Sequence, residues 1–192
     1  TAWSNVADLN AARNGAGGNA GVSNTSALCF GGGGPNPAAN ESWNGSAWTE
    51  LNDLNTGRFN LTGSGIATSC LAYGGTAGPP VYAITESWNN TSWTEVADLN
   101  TARSILGGAG TANTSALAFG GEGPPARMGF TEVYNGTSWS EVADLNVARD
   151  GLKGAGTATA GLGFGGDIST GNTAATEEWD DPKLTIKTVD TD

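Results

Sequence analysis

Trp139-Ser-Glu-Val-Ala-Asp-Leu-Asn146 closes one of four near-copies of a single stretch. The others are Trp3-Ser-Asn-Val-Ala-Asp-Leu-Asn10, Trp48-Thr-Glu-Leu-Asn-Asp-Leu-Asn55 and Trp93-Thr-Glu-Val-Ala-Asp-Leu-Asn100. Their spacing is about 45 residues, a period that signals a chain built from one recurring supersecondary unit. Further landmarks keep the same order: an arginine (Arg13, Arg58, Arg103, Arg149), a run of small residues, and an apolar segment ending in Gly-Gly at 31–32, 74–75, 120–121 and 165–166. A Glu-x-aromatic triplet then ends in Trp43, Trp88, Tyr134 or Trp179.

Each unit resolves into four short strands. In the third, residues 105–112 are small and Gly-rich. Ser115–Phe119 puts Leu117 and Phe119 on one face and Ala116 and Ala118 on the other. Apolar residues on both faces are expected of a strand covered on both sides. Thr131–Tyr134 and Trp139–Val142 follow, joined through Asn135-Gly136, a turn signal because both residues tolerate positive φ. The innermost strands read Gly-Ala-Gly-Gly, Thr-Gly-Ser-Gly, Gly-Gly-Ala-Gly and Lys-Gly-Ala-Gly, small enough for four of them to converge on a narrow axis.

Arg, Gly-Gly, Glu-x-aromatic and Trp in this order resemble the kelch motif over residues 1–180. The resemblance implies an all-β, four-bladed propeller with four antiparallel strands per blade, its ring closed by a terminal strand. The repeat is also similar to kelch-like repeats in structural proteins of tailed bacteriophages. The expected organisation is one propeller over 1–182, with repeats at about 10–54, 55–99, 100–145 and 146–182. Residues 1–9 would supply the outer strand of the last blade. The segment 183–192 competes for that place, since Leu184-Thr-Ile186-Lys-Thr-Val189 alternates as a strand does, and it is otherwise an edge strand or tail. A closed ring leaves no long exposed edge.

Composition narrows the function. Thirty-one glycines with 38% hydrophobic residues fit all-β structure with many turns. The net charge is −11, and only 8 residues are Lys or Arg, four of them the repeated arginines. Nucleic acid is therefore not an expected partner, and no stretch is long and apolar enough for membrane insertion. The chain opens inside a repeat without a secretion signal, so either a removed leader or a route without one is expected. Cys29 and Cys70 are expected to be free thiols packed as small hydrophobes.

The chain has no histidine. That removes the commonest general base and metal ligand. Some kelch propellers are copper oxidases, and the His ligands that such a site needs have no counterpart. No enzyme activity, cofactor or metal is expected. Asp8, Asp53, Asp98 and Asp144 recur in the repeat and are weak candidates for a cation ring. Identical local contexts favour instead a turn-capping role or pairing with the arginine that follows.

The connections between second and third strands differ most, at 33–39, 76–82, 122–128 and 167–171. Variable loops on a constant frame are where binding resides, which makes Asn36, Tyr82, Arg127, Met128, Phe130 and Asp167 the candidate ligand-binding residues. The repeated tryptophans read as core between blades. Asn44, Asn89, Asn90 and Asn135 lie in sequons at hairpin tips and would be glycosylated in a eukaryotic host. The expectation is a non-enzymatic module on a virion surface or otherwise extracellular: a phage fibre, tail or capsid decoration. Its partner would be a host-surface glycan or protein, or other virion or fibre proteins. The alternative is a structural subunit that associates with itself into a fibre or homo-oligomer through a spare terminal strand.

Overall fold

The computed structural model describes residues 2–18, 23–124 and 126–181. Among them there is no helix, and the chain folds into a succession of small antiparallel sheets. The first sheet holds β1 (Gly17–Gly18), β2 (Ala27–Phe30), β3 (Asn40–Trp43) and β4 (Trp48–Leu51) in sequence order. The second holds β5 (Thr62–Ile66), β6 (Ser69–Tyr73), β7 (Thr85–Trp88) and β8 (Trp93–Glu95). The third combines β9 (Gly107–Ala112) and β10 (Ser115–Phe119) with β13 (Thr131–Tyr134) and β14 (Trp139–Glu141). Between them stands a separate hairpin of β11 (Glu122–Gly123) and β12 (Ala126–Arg127). The fourth comprises β15 (Lys153–Gly156), β16 (Ala160–Phe164) and β19 (Thr176–Asp180), with a hairpin of β17 (Asp167–Ile168) and β18 (Gly171–Asn172) inserted. The strands read from the third repeat fall within a residue or two of these bounds, whereas both inserted hairpins were absent from the sequence reading.

Short polar turns make the outer hairpins. Asn44, Asn89 and Asn135 each fold the side-chain oxygen back to accept backbone N–H groups two and three residues on, at 2.9–3.0 Å. The next residue has positive φ, 96° at Gly45, 73° at Asn90 and 95° at Gly136. Asparagine tolerates that conformation best after glycine, so Asn89-Asn90 replaces Asn-Gly without changing the turn.

Neighbouring sheets pack face to face through an aromatic ladder. Phe30 meets Trp93 and Tyr73 meets Trp139, both with ring centroids 5.1 Å apart. Within each sheet the paired aromatics also touch, as in Trp88–Trp93 at 5.3 Å and Tyr134–Trp139 at 5.2 Å. Trp88, Trp93 and Trp139 are thus core, at 5% exposure or less, whereas Trp48 and Trp179 are half-buried. The rings of Phe30, Tyr73 and Phe119 lie directly on Gly63, Gly108 and Gly154 of the following inner strand, where a Cβ would sit 2.2–2.6 Å from a ring atom or hydroxyl. Glycine there permits the close approach of one sheet to the next.

The charged landmarks form a buried clamp at every repeat. Arg13 pairs with Glu41, Arg58 with Glu86, Arg103 with Glu132 at 3.1 Å and Arg149 with Glu177 at 3.0 Å. The other carboxylate oxygen accepts the backbone N–H and side-chain amide of Asn10, Asn55, Asn100 or Asn146 at 2.7–2.9 Å. Three of these asparagines also reach an outer-strand carbonyl, at Trp48, Trp93 and Trp139. The arginine's carboxylate partner is therefore this third-strand glutamate rather than the neighbouring aspartate. Burying a guanidinium requires such a fully hydrogen-bonded counter-charge. Burial lowers the Arg103 pKa, and Glu132 opposes that shift.

A second chain of bonds links the inner connections. Asn60 donates its N–H to Gly15 O, Ile105 to Asn60 O and Gly151 to Ile105 O, at 2.7–2.9 Å. All four residues have φ between 54° and 66°. The inner strands of all four sheets border one cavity of about 270 Å³.

The fourth sheet differs from its siblings. It has three strands among the described residues, and Leu162 and Phe164 on β16 are 41% exposed. Residues 2–9 take no strand, and Trp3 is fully exposed. The place that Trp93 and Trp139 fill in the second and third sheets is here a cavity of about 150 Å³, bordered by Phe119, Thr131, Asn146 and Trp179. The other segment considered for that place, 183–192, lies outside the described residues. Cys29 and Cys70 are both free thiols, the first half-buried and the second buried.

Candidate functional site

The Gly-Gly pairs create one loop-bearing face. The first glycine of each pair has φ between 61° and 67° and the second between 97° and 106°. This double left-handed step turns the chain out of the second strand. The second glycine of the first three pairs donates to the carbonyl of the next repeat's arginine, Arg58, Arg103 or Arg149, at 2.9 Å. The residue after each Gly-Gly then pairs with the residue after an arginine: Gly33 with Asn14, Thr76 with Phe59, Glu122 with Ser104 and Asp167 with Asp150. The most variable loops are thereby stitched to a second variable position, Asn14, Phe59, Ser104 and Asp150, on the same face.

Between the second and third sheets this face opens into a groove of about 740 Å³. It is bordered by Pro79, Pro80 and Val81 and by the β11–β12 hairpin with Glu122, Gly123 and Arg127, and the two segments meet where Val81 lies against Gly123. Phe59, Asn60 and Ser104 form its floor. Arg127 is fixed by two carboxylates across the seam to the fourth sheet: Nε lies 2.6 Å from Asp150 and Nη2 2.8 Å from Asp167.

The sequence-expected residues divide on this geometry. Arg127 borders the groove and Asp167 anchors it. Tyr82 stands beside the groove, half-buried, with its N–H bonded to Gly75 O. Met128 is buried beneath the hairpin, where a Cβ on Gly123 would meet its terminal methyl at 2.8 Å, and it offers no surface. Phe130 is exposed away from the groove lining. Asn36 is exposed on the first repeat's loop and donates to Asp53 at 2.9 Å. Phe59 and Val81 were missed. Phe59 follows a framework arginine, and the signal that could have found it is the irregular series Asn14, Phe59, Ser104, Asp150.

The repeated aspartates act locally. Asp98 accepts the N–H of Thr85 at 3.0 Å and Asp144 that of Thr131 at 3.2 Å, each capping the start of a third strand. Asp8 is exposed. Among the described residues no group of three or more acidic or cysteine side chains could hold a metal ion. Asn44, Asn89, Asn90 and Asn135 are exposed at the hairpin tips.

Burial pushes up the pKa of the Cys70 thiol and of the Tyr73 hydroxyl. These groups are locked in the core rather than presented on the loop face. No described helix is long and apolar enough to cross a membrane. Compared with protein-family models and with curated proteins, the chain matches none.

Proposed function

We propose that this chain is a non-enzymatic recognition module of kelch-like, four-bladed propeller form. It is displayed on a virion or in another extracellular setting and binds a host-surface glycan or protein through its loop face. The carrying observation is the division of labour within the repeat. The Arg–Glu–Asn clamp and aromatic ladder hold the frame, while the variable loops follow the Gly-Gly pairs and those of the second and third repeats border one groove. A rigid frame carrying variable loops is the usual arrangement of a binding module. Four inner strands around one small cavity support the four-bladed form. In this reading residues 2–9 seal the ring by filling the slot beside Trp179.

The test is binding of the full chain to glycan and surface-protein arrays. Phe59→Ser on the loop face is compared with Thr49→Lys on an exposed outer strand. Loss of binding with the first and retention with the second is expected; equal effects would remove the loop face from consideration.

A second reading is self-association into a fibre or oligomer. Among the described residues β19 ends its sheet with one edge unpaired, and Trp3 is exposed, which favours it. Strand addition at such an edge joins subunits by backbone hydrogen bonds. Light scattering on the full chain and on a chain ending at Pro182 separates the two: a monomer in both supports recognition alone, and assemblies lost on truncation support the architectural role.

A further inference from the structure

We infer that the groove between the second and third sheets takes a protein segment carrying a basic residue beside an apolar one, rather than a glycan. The inference rests on the loop-face reading and narrows its partner class.

Consider first what the groove can hydrogen-bond. Ser104 is buried. The Thr76 hydroxyl is engaged within its own loop, by the backbone of Gly78. Arg127 is held by Asp150 and Asp167. Arg127 Nη1, which neither aspartate engages, Asn60 and Glu122 are the polar side-chain groups left to face a ligand. A sugar brings a hydroxyl on nearly every carbon, and each one removed from water without a partner is costly. The proline and valine wall supplies none. It offers apolar surface, matched by the half-buried Phe59 ring on the floor.

Charge then selects among apolar ligands. Glu122 is exposed at the rim, and Asp150 and Asp167 outnumber Arg127, so the groove surroundings are acidic. The whole chain carries −11. Such a field repels anionic glycans and steers cationic segments toward the site. A lysine or arginine can lay its methylenes along Phe59 and Val81 while its charge reaches Glu122.

The test uses the full chain, ¹⁵N-labelled, with two probes: the capped peptide acetyl-Leu-Lys-Pro-Leu-amide, and methyl galactoside with methyl mannoside. The amides of Val81, Ser104 and Gly123 report on the groove. The peptide is expected to shift them and the sugars to leave them in place. Glu122→Gln, an exposed substitution compatible with folding, is expected to weaken the peptide about threefold, and salt at about 0.5 M to do likewise. Sugar shifts at these amides, no peptide shifts, or peptide affinity indifferent to both Glu122→Gln and salt would each overturn the inference. If the probes fail while Phe59→Ser still abolishes array binding, the partner class is wrong and the loop-face reading stands.

Discussion

Asn100 donates both its backbone N–H and its side-chain amide to one oxygen of Glu132, at 2.7 and 2.8 Å, while Arg103 lies 3.1 Å from the other oxygen. The asparagine and the arginine enter from the connection that leaves the second sheet, and the glutamate belongs to β13 of the third. One carboxylate therefore fastens consecutive repeats, with all its strong acceptor sites used. Glu132→Gln places an amide NH2 against a donor on one side or the other, and it leaves a fully buried guanidinium without its counter-charge. The expected loss is about 3 kcal/mol. Glu177 is more solvated, at 17% side-chain exposure, so Glu177→Gln is expected to cost about half as much. Urea unfolding of both variants checks the order; equal losses would mean that burial does not set the clamp's strength.

The clamp also marks where sequence reasoning stops. Its members are visible as repeats, but their pairing is not. Each arginine lies close in sequence to an aspartate and far from its glutamate, with a loop of variable length between them. Proximity therefore suggested the wrong carboxylate. The strands of the third repeat were legible because Leu117 and Phe119 alternate with Ala116 and Ala118 under burial on both faces. The inserted hairpins carry no such alternation. Glu122–Gly123 and Ala126–Arg127 are two-residue strands, too short to show a period. Of the groove, Arg127 was legible from loop variability. Phe59 was hidden behind a constant arginine, and Met128 looked available because sequence does not reveal that the hairpin folds over it.

Ile105 carries the clearest local strain. Its φ is 54°, in a position that the first and fourth repeats give to Gly15 and Gly151 and the second to Asn60. A β-branched side chain is disfavoured in the left-handed region by about 1–2 kcal/mol. Ile105→Gly is expected to raise stability by only a few tenths of a kcal/mol, because about 0.5–1 kcal/mol of added unfolded-chain entropy and the lost half-buried surface offset most of the relieved strain. The reverse change, Gly151→Ile, is expected to lower it by a similar amount. Thermal unfolding of the pair is the measurement, and a fall in stability with Ile105→Gly would mean that side-chain packing outweighs the backbone strain.

Alkaline pH acts through buried thiols and hydroxyls: burial raises the pKa of Cys29, against the lowering effect of Arg13, and of Tyr134, but Cys70 and Tyr73 are the most deeply buried. Burial raises the Cys70 thiol and the Tyr73 hydroxyl above their ordinary values. The folded chain therefore keeps protons that the unfolded chain releases. Stability is full below the unfolded thiol pKa, near 8.5, and falls as pH rises above it. A second decline begins near 10, where an unfolded tyrosine ionises. Cys70 occupies the register position of Ala27 and Ala116, so Cys70→Ala keeps a residue native to that site. Urea midpoints between about pH 8 and 11 are expected to show a smaller earlier decline in the variant, the remainder coming from Cys29, and to retain the later one. An unchanged profile would assign the alkaline loss to other groups.

Trp3 tests how the fourth sheet is completed. Trp139 packs on Tyr134 and Tyr73, and its ring N–H donates to the Thr85 hydroxyl at 3.2 Å. Trp179, Phe119 and Thr131 hold the equivalent positions around the slot. Trp3 precedes Asn10 in the same register in which Trp48 precedes Asn55, and Asn10 is already clamped on Glu41. The segment that crosses each other seam is thus present, anchored at one end, and its tryptophan is unburied in the structure. If residues 2–9 fill the slot in solution, Trp3→Ala is expected to cost about 3 kcal/mol, as for other buried tryptophans. Thr131→Val, which removes the acceptor, is expected to cost about 1 kcal/mol. The double variant should then lose less than the sum, because the two side chains share one contact. Strict additivity, or a Trp3→Ala variant as stable as the parent, would place Trp3 outside the slot and make residues 183–192 the strand to delete next.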